Sequence, residues 1–243
     1  MEPTNKTVMD SSGSDRVLVI MAKAPRPGAV KTRLSPSLSP ETVTDLYCCL
    51  LDDTLALARS VGDVEVAIMC RDSDVNELSR LAGKEVNVVA QRGEGLAAGL
   101  TSVFARFADG HQRRTIAFNS DSPHLPRSVL EDAFTTLAEH DVVVGPTDDG
   151  GYYLVGAKAS YPELFVRDGM GTGTALETLL LNARKLELSV GFSDIFYDID
   201  VADDLTRLAA ELRLAPIKAP RTAQWLKEWE LVAARSRTAT GKL

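Results

Sequence analysis

Histidine, cysteine and aromatic residues are scarce in this 243-residue chain, with three His, three Cys and 6% Phe, Trp and Tyr. Cys48, Cys49 and Cys70 cannot all pair and show no C-x-x-C spacing, which excludes a disulfide framework and a thiolate zinc site. They read as reduced core or near-core residues of a cytoplasmic protein, Cys48 and Cys49 within the apolar helical pattern around 47–51. No apolar run approaches the roughly 20 residues of a membrane span. The opening MEPTNKTVMDSSGSD has no apolar core and so is not a secretory signal; residues 1–15 read as a polar, disordered tail. The basic stretch at 16–34 has neither the G-x-x-x-x-G-K-[ST] nor the G-x-G-x-x-G spacing. No internal repeat or low-complexity linker divides the chain. Positive charge is also in short supply. The 27 basic residues face 34 acidic ones, for a net charge of −7, which argues against a nucleic-acid polymer as partner. An anionic ligand would depend on a local basic patch.

Such a patch is present. Residues 16–34 read RVLVIMAKAPRPGAVKTRL, an apolar run followed by Lys23, Arg26, Gly28, Lys31 and Arg33. A buried parallel strand that runs into a glycine-containing basic loop is one way α/β enzymes hold a diphosphate. Glycine lets the backbone approach the anion, and Lys and Arg neutralise its charge. A solvated basic loop after a core strand is the plainer reading of the same stretch.

Composition is that of a soluble globular chain, 44% hydrophobic and 25% charged. Apolar runs at 16–22, 64–70, 86–91, 115–119, 141–145 and 152–157 predict strands. Helical periodicity predicts helices at 40–60, 73–82, 95–109, 127–139, 173–185 and 202–213, with a further amphipathic helix at 222–236. Ser39, Pro40 and Glu41 are start signals for the first helix. Several strands are continuous apolar runs, which implies burial on both faces and a mainly parallel sheet between helical layers. The expected organisation is an N-terminal tail over 1–15, one Rossmann-like α/β domain over 16–215, and a C-terminal helix and tail over 216–243.

Ligands of such folds sit beyond the carboxyl ends of the strands, and acids recur there. Asp121 follows TIAFN directly, a position suited to a divalent cation, Mg²⁺ or Mn²⁺, which takes carboxylate and phosphate oxygens. The alternative is an Asp that caps the turn into Ser122-Pro123. In the segment DID, strand alternation would put Asp198 and Asp200 on one face and Ile199 on the other. Two adjacent carboxylates repel unless a cation or proton intervenes, which again favours a metal. Asp203 and Asp204 read as helix-start acids. Asp148-Asp149-Gly150-Gly151 reads as a tight hairpin that can aim an acid into a cleft. GMGTGT, residues 169–174, is either an anion or sugar site at a helix start or an N-cap. His111, His124 and His140 read as residues of the surface or of helix ends.

Taken together, MAKAPRPGAVKTRL, FNSDSPHLP, GPTDDGGYYLVGAK and YDIDVADDL resemble the DUF2064 family, also described as transferases associated with arsenosugar biosynthesis. The resemblance spans about residues 16–213. It implies a GT-A fold of the nucleotide-diphospho-sugar transferase group, a nucleotide-sugar donor, a small-molecule acceptor and a divalent cation. It would place Lys23, Gly28, Lys31 and Arg33 at the donor diphosphate, Asp121 at the metal and Asp149 near sugar and acceptor. Gln91, at the end of a strand, would lie where GT-A-like enzymes hold the base. The chain also resembles the 2-phospholactate guanylyltransferases. That likeness would add Asp198 and Asp200 to the metal and give the GTGT loop, with Gly171 and Thr172, a phospho-acid to bind. Many DUF2064 members carry Trp-Ser-Thr where this chain has Met170-Gly171-Thr172, so an aromatic platform is replaced by flexible backbone. The expected reaction is sugar transfer with Asp149 as base and Asp148 as its alternate; the competing one is nucleotidyl transfer with release of pyrophosphate.

Overall fold

Period-two burial along the first strand sets the architecture. In β1 (Arg16–Met21), Leu18 and Ile20 enter one apolar layer and Val17 and Val19 the other, and all four are fully buried. A strand apolar on both faces must be covered on both, and each such side chain contributes about 1.5–3 kcal/mol. The computed structural model describes residues 14–108, 113–166 and 173–240, the last nine by backbone alone. After β1 come α1 (Pro40–Ser60), β2 (Glu65–Cys70), α2 (Val75–Ala82), β3 (Asn87–Ala90) and α3 (Gly95–Phe107). They are followed by β4 (Arg114–Asn119), α4 (Arg127–Glu139), β5 (Val142–Pro146) and β6 (Tyr152–Ala157). The last elements are α5 (Ala175–Lys185), β7 (Val190–Phe192), α6 (Ala202–Leu214) and α7 (Pro220–Thr240).

The strands form one seven-stranded sheet in the order β3-β2-β1-β4-β6-β5-β7. All pairings are parallel except those of β6, which runs antiparallel to β4 and to β5. The chain is thus a single α/β domain with a mainly parallel sheet between helices. All six expected strands are present. The seventh, β7, is three residues long in a serine-flanked stretch, too short to show a period. DID is not a strand, yet the alternation holds: Ile199 is fully buried and its flanking aspartates are not. Among the described residues no helix is long and apolar enough to cross a membrane.

Three features place the functional residues. β1 and β4 are neighbours that end together, Met21 opposite Asn119, so the loops after both strands leave from one point. Because β6 is antiparallel, the β5–β6 turn lies at that same edge. A third apolar cluster joins Leu46 and Leu50 of α1 to Leu205, Leu208 and Leu212 of α6 and Leu226 of α7. Tyr197 and Ile199 are anchored in it, which fixes DID against the sheet edge. Asp53 of α1 ties α7 down, its carboxylate accepting from Arg221 N at 3.1 Å and Thr222 N at 2.7 Å. Ser39 caps α1, its hydroxyl accepting from Thr42 N.

Candidate active site

The loop after β1 is pinned at its start by hydrogen bonds and toward its end by the buried side chains of Val30 and Leu34. Lys23 N donates to the Tyr47 hydroxyl at 3.1 Å, and that hydroxyl shares a 3.0 Å hydrogen bond with Ser120 Oγ. Tyr47 of α1, almost fully buried, therefore bridges the loops after β1 and β4. Ala24 N donates to buried Asp74, and Arg26 engages Asp74, Glu77 and the Ser73 carbonyl. Arg26 is thus an anchor for the loop and does not share the cleft with the other three cations. Gly28 follows with φ +75° in open space, a conformation that suits glycine.

Lys31 closes the loop. Its backbone is left-handed, φ 44°, unusual for a side-chain-bearing residue, and its side chain is 5% exposed. The ammonium lies 2.6 Å from Asp121 Oδ2 and 2.9 Å from Asp200 Oδ1. Arg33, exposed, reaches the other Asp200 oxygen at 3.1 Å. Burial works against the Lys31 charge, but the two carboxylates outweigh it and hold the ammonium above the ordinary lysine value. Burial also pushes the Asp200 carboxyl up, yet Lys31 and Arg33 together carry it below the usual carboxylate range.

Asp198 stands behind this pair. It accepts from Asn119 Nδ2 at 2.6 Å and Ser122 Oγ at 3.4 Å. Burial first, then the Asp121 charge, with added repulsion from Asp200 and Asp149, push its carboxyl up to about 7 against the pull of Lys31. The same burial and Asp121 charge push the Tyr47 hydroxyl up to about 12. Lys23, Lys31, Arg33, Tyr47, Asp121 and Asp200 all border a cleft of about 250 Å³ at the sheet edge. A larger apolar groove of about 720 Å³ between α6 and α7 holds none of these groups.

The β5–β6 turn meets the cluster from the other side. Asp149 Oδ1 accepts from Thr147 Oγ1 at 2.6 Å and Gly151 N at 3.1 Å, and the residue is close enough to raise Asp198. Gly150 has φ +86°, and a Cβ there would lie 2.2 Å from the Gly173 carbonyl oxygen; its own carbonyl accepts from Leu176 N at the start of α5. The turn is therefore locked. Asp148 points away and pairs with Arg207 at 3.1 Å, whose guanidinium lies 3.7 Å over the Tyr197 ring. Gln91 leaves β3 at the same edge, but its amide donates to the carbonyls of Gly93 and Gly95 and braces its own loop. Gly171 and Thr172 lie outside the described residues, as do His111 and residues 1–13.

His124 is not a surface residue. It is fully buried, its ring centroid 4.4 Å from that of Tyr197, and neither ring nitrogen has a hydrogen-bond partner among the described residues. Tyr47, Asn119 and Asp74 are positioning residues that the sequence does not flag. Tyr47 falls on the apolar stripe of a helix, and Asn119 ends an apolar run. Asp74 precedes an ordinary helix.

Among the described residues, no three Asp, Glu, His or Cys side chains gather in a metal-ligating arrangement. Two carboxylates do converge on one cation-sized point, which the Lys31 ammonium fills, with a third carboxylate adjoining. Carboxylate oxygens of this kind suit a hard divalent cation whose remaining ligands come from phosphate and water.

A model of the family described as "Uncharacterized protein conserved in bacteria (DUF2064)" matches residues 54–172. Over that segment the chain is similar to the DUF2064 family. The matched segment carries Asp121 and Asp149, whereas the basic loop and DID flank it. A likeness that spans those flanks is to the crystal structure of a provisionally named nucleotide-diphospho-sugar transferase from Desulfovibrio desulfuricans G20. The two share 26% identity over 91% of this chain and 98% of the other, with a TM-score of 0.82. The chain is also 25% identical to a 2-phospho-L-lactate guanylyltransferase from Methanocaldococcus sp. (strain FS406-22) over 180 residues, 73% of this chain and 74% of the relative. A 4-diphosphocytidyl-2C-methyl-D-erythritol synthase from Anaerococcus prevotii DSM 20548 shares the fold at 10% identity, with TM-score 0.56 over 83% of this chain and 97% of that one.

Proposed function

We propose that this protein is a divalent-cation-dependent transferase that acts on a nucleoside phosphate, and that it transfers a nucleotidyl group from a nucleoside triphosphate to a small anionic acceptor. The observation that carries this reading is the pair of carboxylates, Asp121 and Asp200, closed on one cationic point beside a glycine-hinged basic loop. Asp121, Asp198 and Asp200 would hold Mg²⁺ or Mn²⁺, which would supply neutralisation of the phosphate charge that grows as pyrophosphate departs. Lys23 and Arg33 at the lip of the cleft, with Lys31, neutralise the phosphates. Asn119 and Ser122 hold Asp198 in place, and Tyr47 holds the two strand-end loops at fixed separation. An acceptor oxygen attacks the α-phosphorus, the bond from that phosphorus to the bridging oxygen breaks, and pyrophosphate leaves. An ionised acceptor needs no base. The similarity to a guanylyltransferase supports this reaction and makes GTP the first donor to test.

Sugar transfer is the second reading, favoured by the locked Asp149 beside Asp198. There Asp149 would take the proton of an acceptor hydroxyl and a nucleoside diphosphate would leave. The two reactions differ in product. GTP with a panel of phosphorylated hydroxy acids should yield pyrophosphate, and Asp149→Asn should leave that turnover nearly unchanged. Nucleoside diphosphate released from nucleotide sugars, with a loss of about 10²–10⁴-fold in Asp149→Asn, would establish sugar transfer instead.

A further inference from the structure

We propose that Lys31 is a resident counter-ion that keeps the carboxylate site shut to a divalent cation until a donor phosphate draws its ammonium away, so that cation and donor bind cooperatively. The inference rests on the reading of Asp121 and Asp200 as receivers of the cation.

The geometry gives Lys31 two competing sets of partners. Its ammonium sits 2.6 Å from Asp121 and 2.9 Å from Asp200, on the point between them. It also borders the cleft that Lys23 and Arg33 share, so a phosphate in that cleft competes with the carboxylates for the same ammonium. A divalent cation entering alone must first break two charge-assisted contacts of a side chain that is 5% exposed. A polyphosphate entering alone meets three carboxylates, with Lys31 already committed to two of them. When both enter, the ammonium can move to phosphate while the divalent ion takes its place, and each ligand lowers the cost of the other.

The backbone at Lys31 is strained and held on both sides. Lys31 has φ 44°, ψ 42°, a conformation that costs a side-chain-bearing residue energy and persists where its contacts outweigh that cost. Val30, 3% exposed, and Leu34, fully buried, fasten the chain on either side of Lys31 to the core. The exchange of partners is therefore a movement of the Lys31 side chain on a fixed backbone.

The test uses the full chain and Mn²⁺ alone, with free Mn²⁺ followed by electron paramagnetic resonance. Lys31→Met keeps the apolar stem and removes the charge. It should bind Mn²⁺ about tenfold more tightly than wild type, because no ammonium has to be displaced. Lys31→Arg retains a cation and should stay near wild type. Both effects should vanish when Asp121→Asn is added. Mn²⁺ should also raise the melting temperature of Lys31→Met more than that of wild type, a readout independent of turnover. Equal Mn²⁺ affinity in wild type and Lys31→Met, lost in both with Asp121→Asn, would overturn the counter-ion role while leaving the cation site intact. Absence of Asp121-dependent Mn²⁺ binding in every variant would overturn the site and the inference together.

Discussion

Tyr47→Phe removes one oxygen atom and with it the hydrogen-bonded link that α1 makes between the two strand-end loops. The ring is retained, so no cavity opens. Lost are the bond from Lys23 N at 3.1 Å and the bond shared with Ser120 Oγ at 3.0 Å. Each hydrogen bond contributes about 0.5–1.5 kcal/mol net, and a buried donor left unpaired adds to the loss. Ser120 can fall back on Asp121 Oδ1 at 3.2 Å, so the uncompensated group is the Lys23 amide. The expected destabilisation is about 2 kcal/mol, which for a chain of this length lowers Tm by about 4–8 °C. Urea denaturation and scanning calorimetry measure it. The link should also appear as non-additivity: in a double-mutant cycle with Ser120→Ala, the pair should cost clearly less than the sum of the single changes. GTP affinity in the presence of Mn²⁺ should fall in Tyr47→Phe, since Lys23 and Asp121 lose their fixed separation. Unchanged stability and GTP affinity, or strict additivity with Ser120→Ala, would refute the claim that Tyr47 holds the loops together.

Two further outcomes follow from residues away from the cleft. Asp53→Ala leaves the Arg221 and Thr222 amides without their cap and should cost about 2 kcal/mol, with hydrogen exchange accelerated over 220–231 and Mn²⁺ binding unchanged. His124, its ring pushed down to about 4 by burial with Lys218 and Arg207 adding to the effect of burial and Glu211 opposing it, should make the protein acid-sensitive. Between its ordinary value of 6.5 and about 4 the unfolded chain binds the extra proton, so stability should drop by about 3 kcal/mol as pH falls through that window and then level off. Denaturation curves of His124→Phe should lack that component of the slope, and parallel pH profiles for the two proteins would count against it.

Much of the fold was legible because its signals are local. The apolar runs are long enough to show burial on both faces, Ser39-Pro40 marks the start of α1, and Asp148 to Gly151 form the expected turn. The acids at strand ends were legible for the same reason, since an Asp directly after an apolar run can only emerge at the sheet edge. What stayed hidden depends on contacts distant in sequence. Tyr47 meets Ser120 across 73 positions, and Arg26 meets Asp74 across 48, so neither role has a local signature. His124 follows Ser122-Pro123, which reads as an exposed turn, but the third apolar cluster brings Tyr197 over its ring. The roles of Asp148 and Asp149 were distinguishable only once Arg207 of α6 was seen to claim the first.

The central claim is that a divalent cation and a nucleoside phosphate share the Asp121–Asp200 cleft. Calorimetric titration with GTP, in Mn²⁺ and in EDTA, tests it most directly. The account predicts binding at least about tenfold tighter in Mn²⁺, a difference of about 1.4 kcal/mol or more, and loss of that difference in Asp121→Asn. Equal affinity in Mn²⁺ and in EDTA would contradict it.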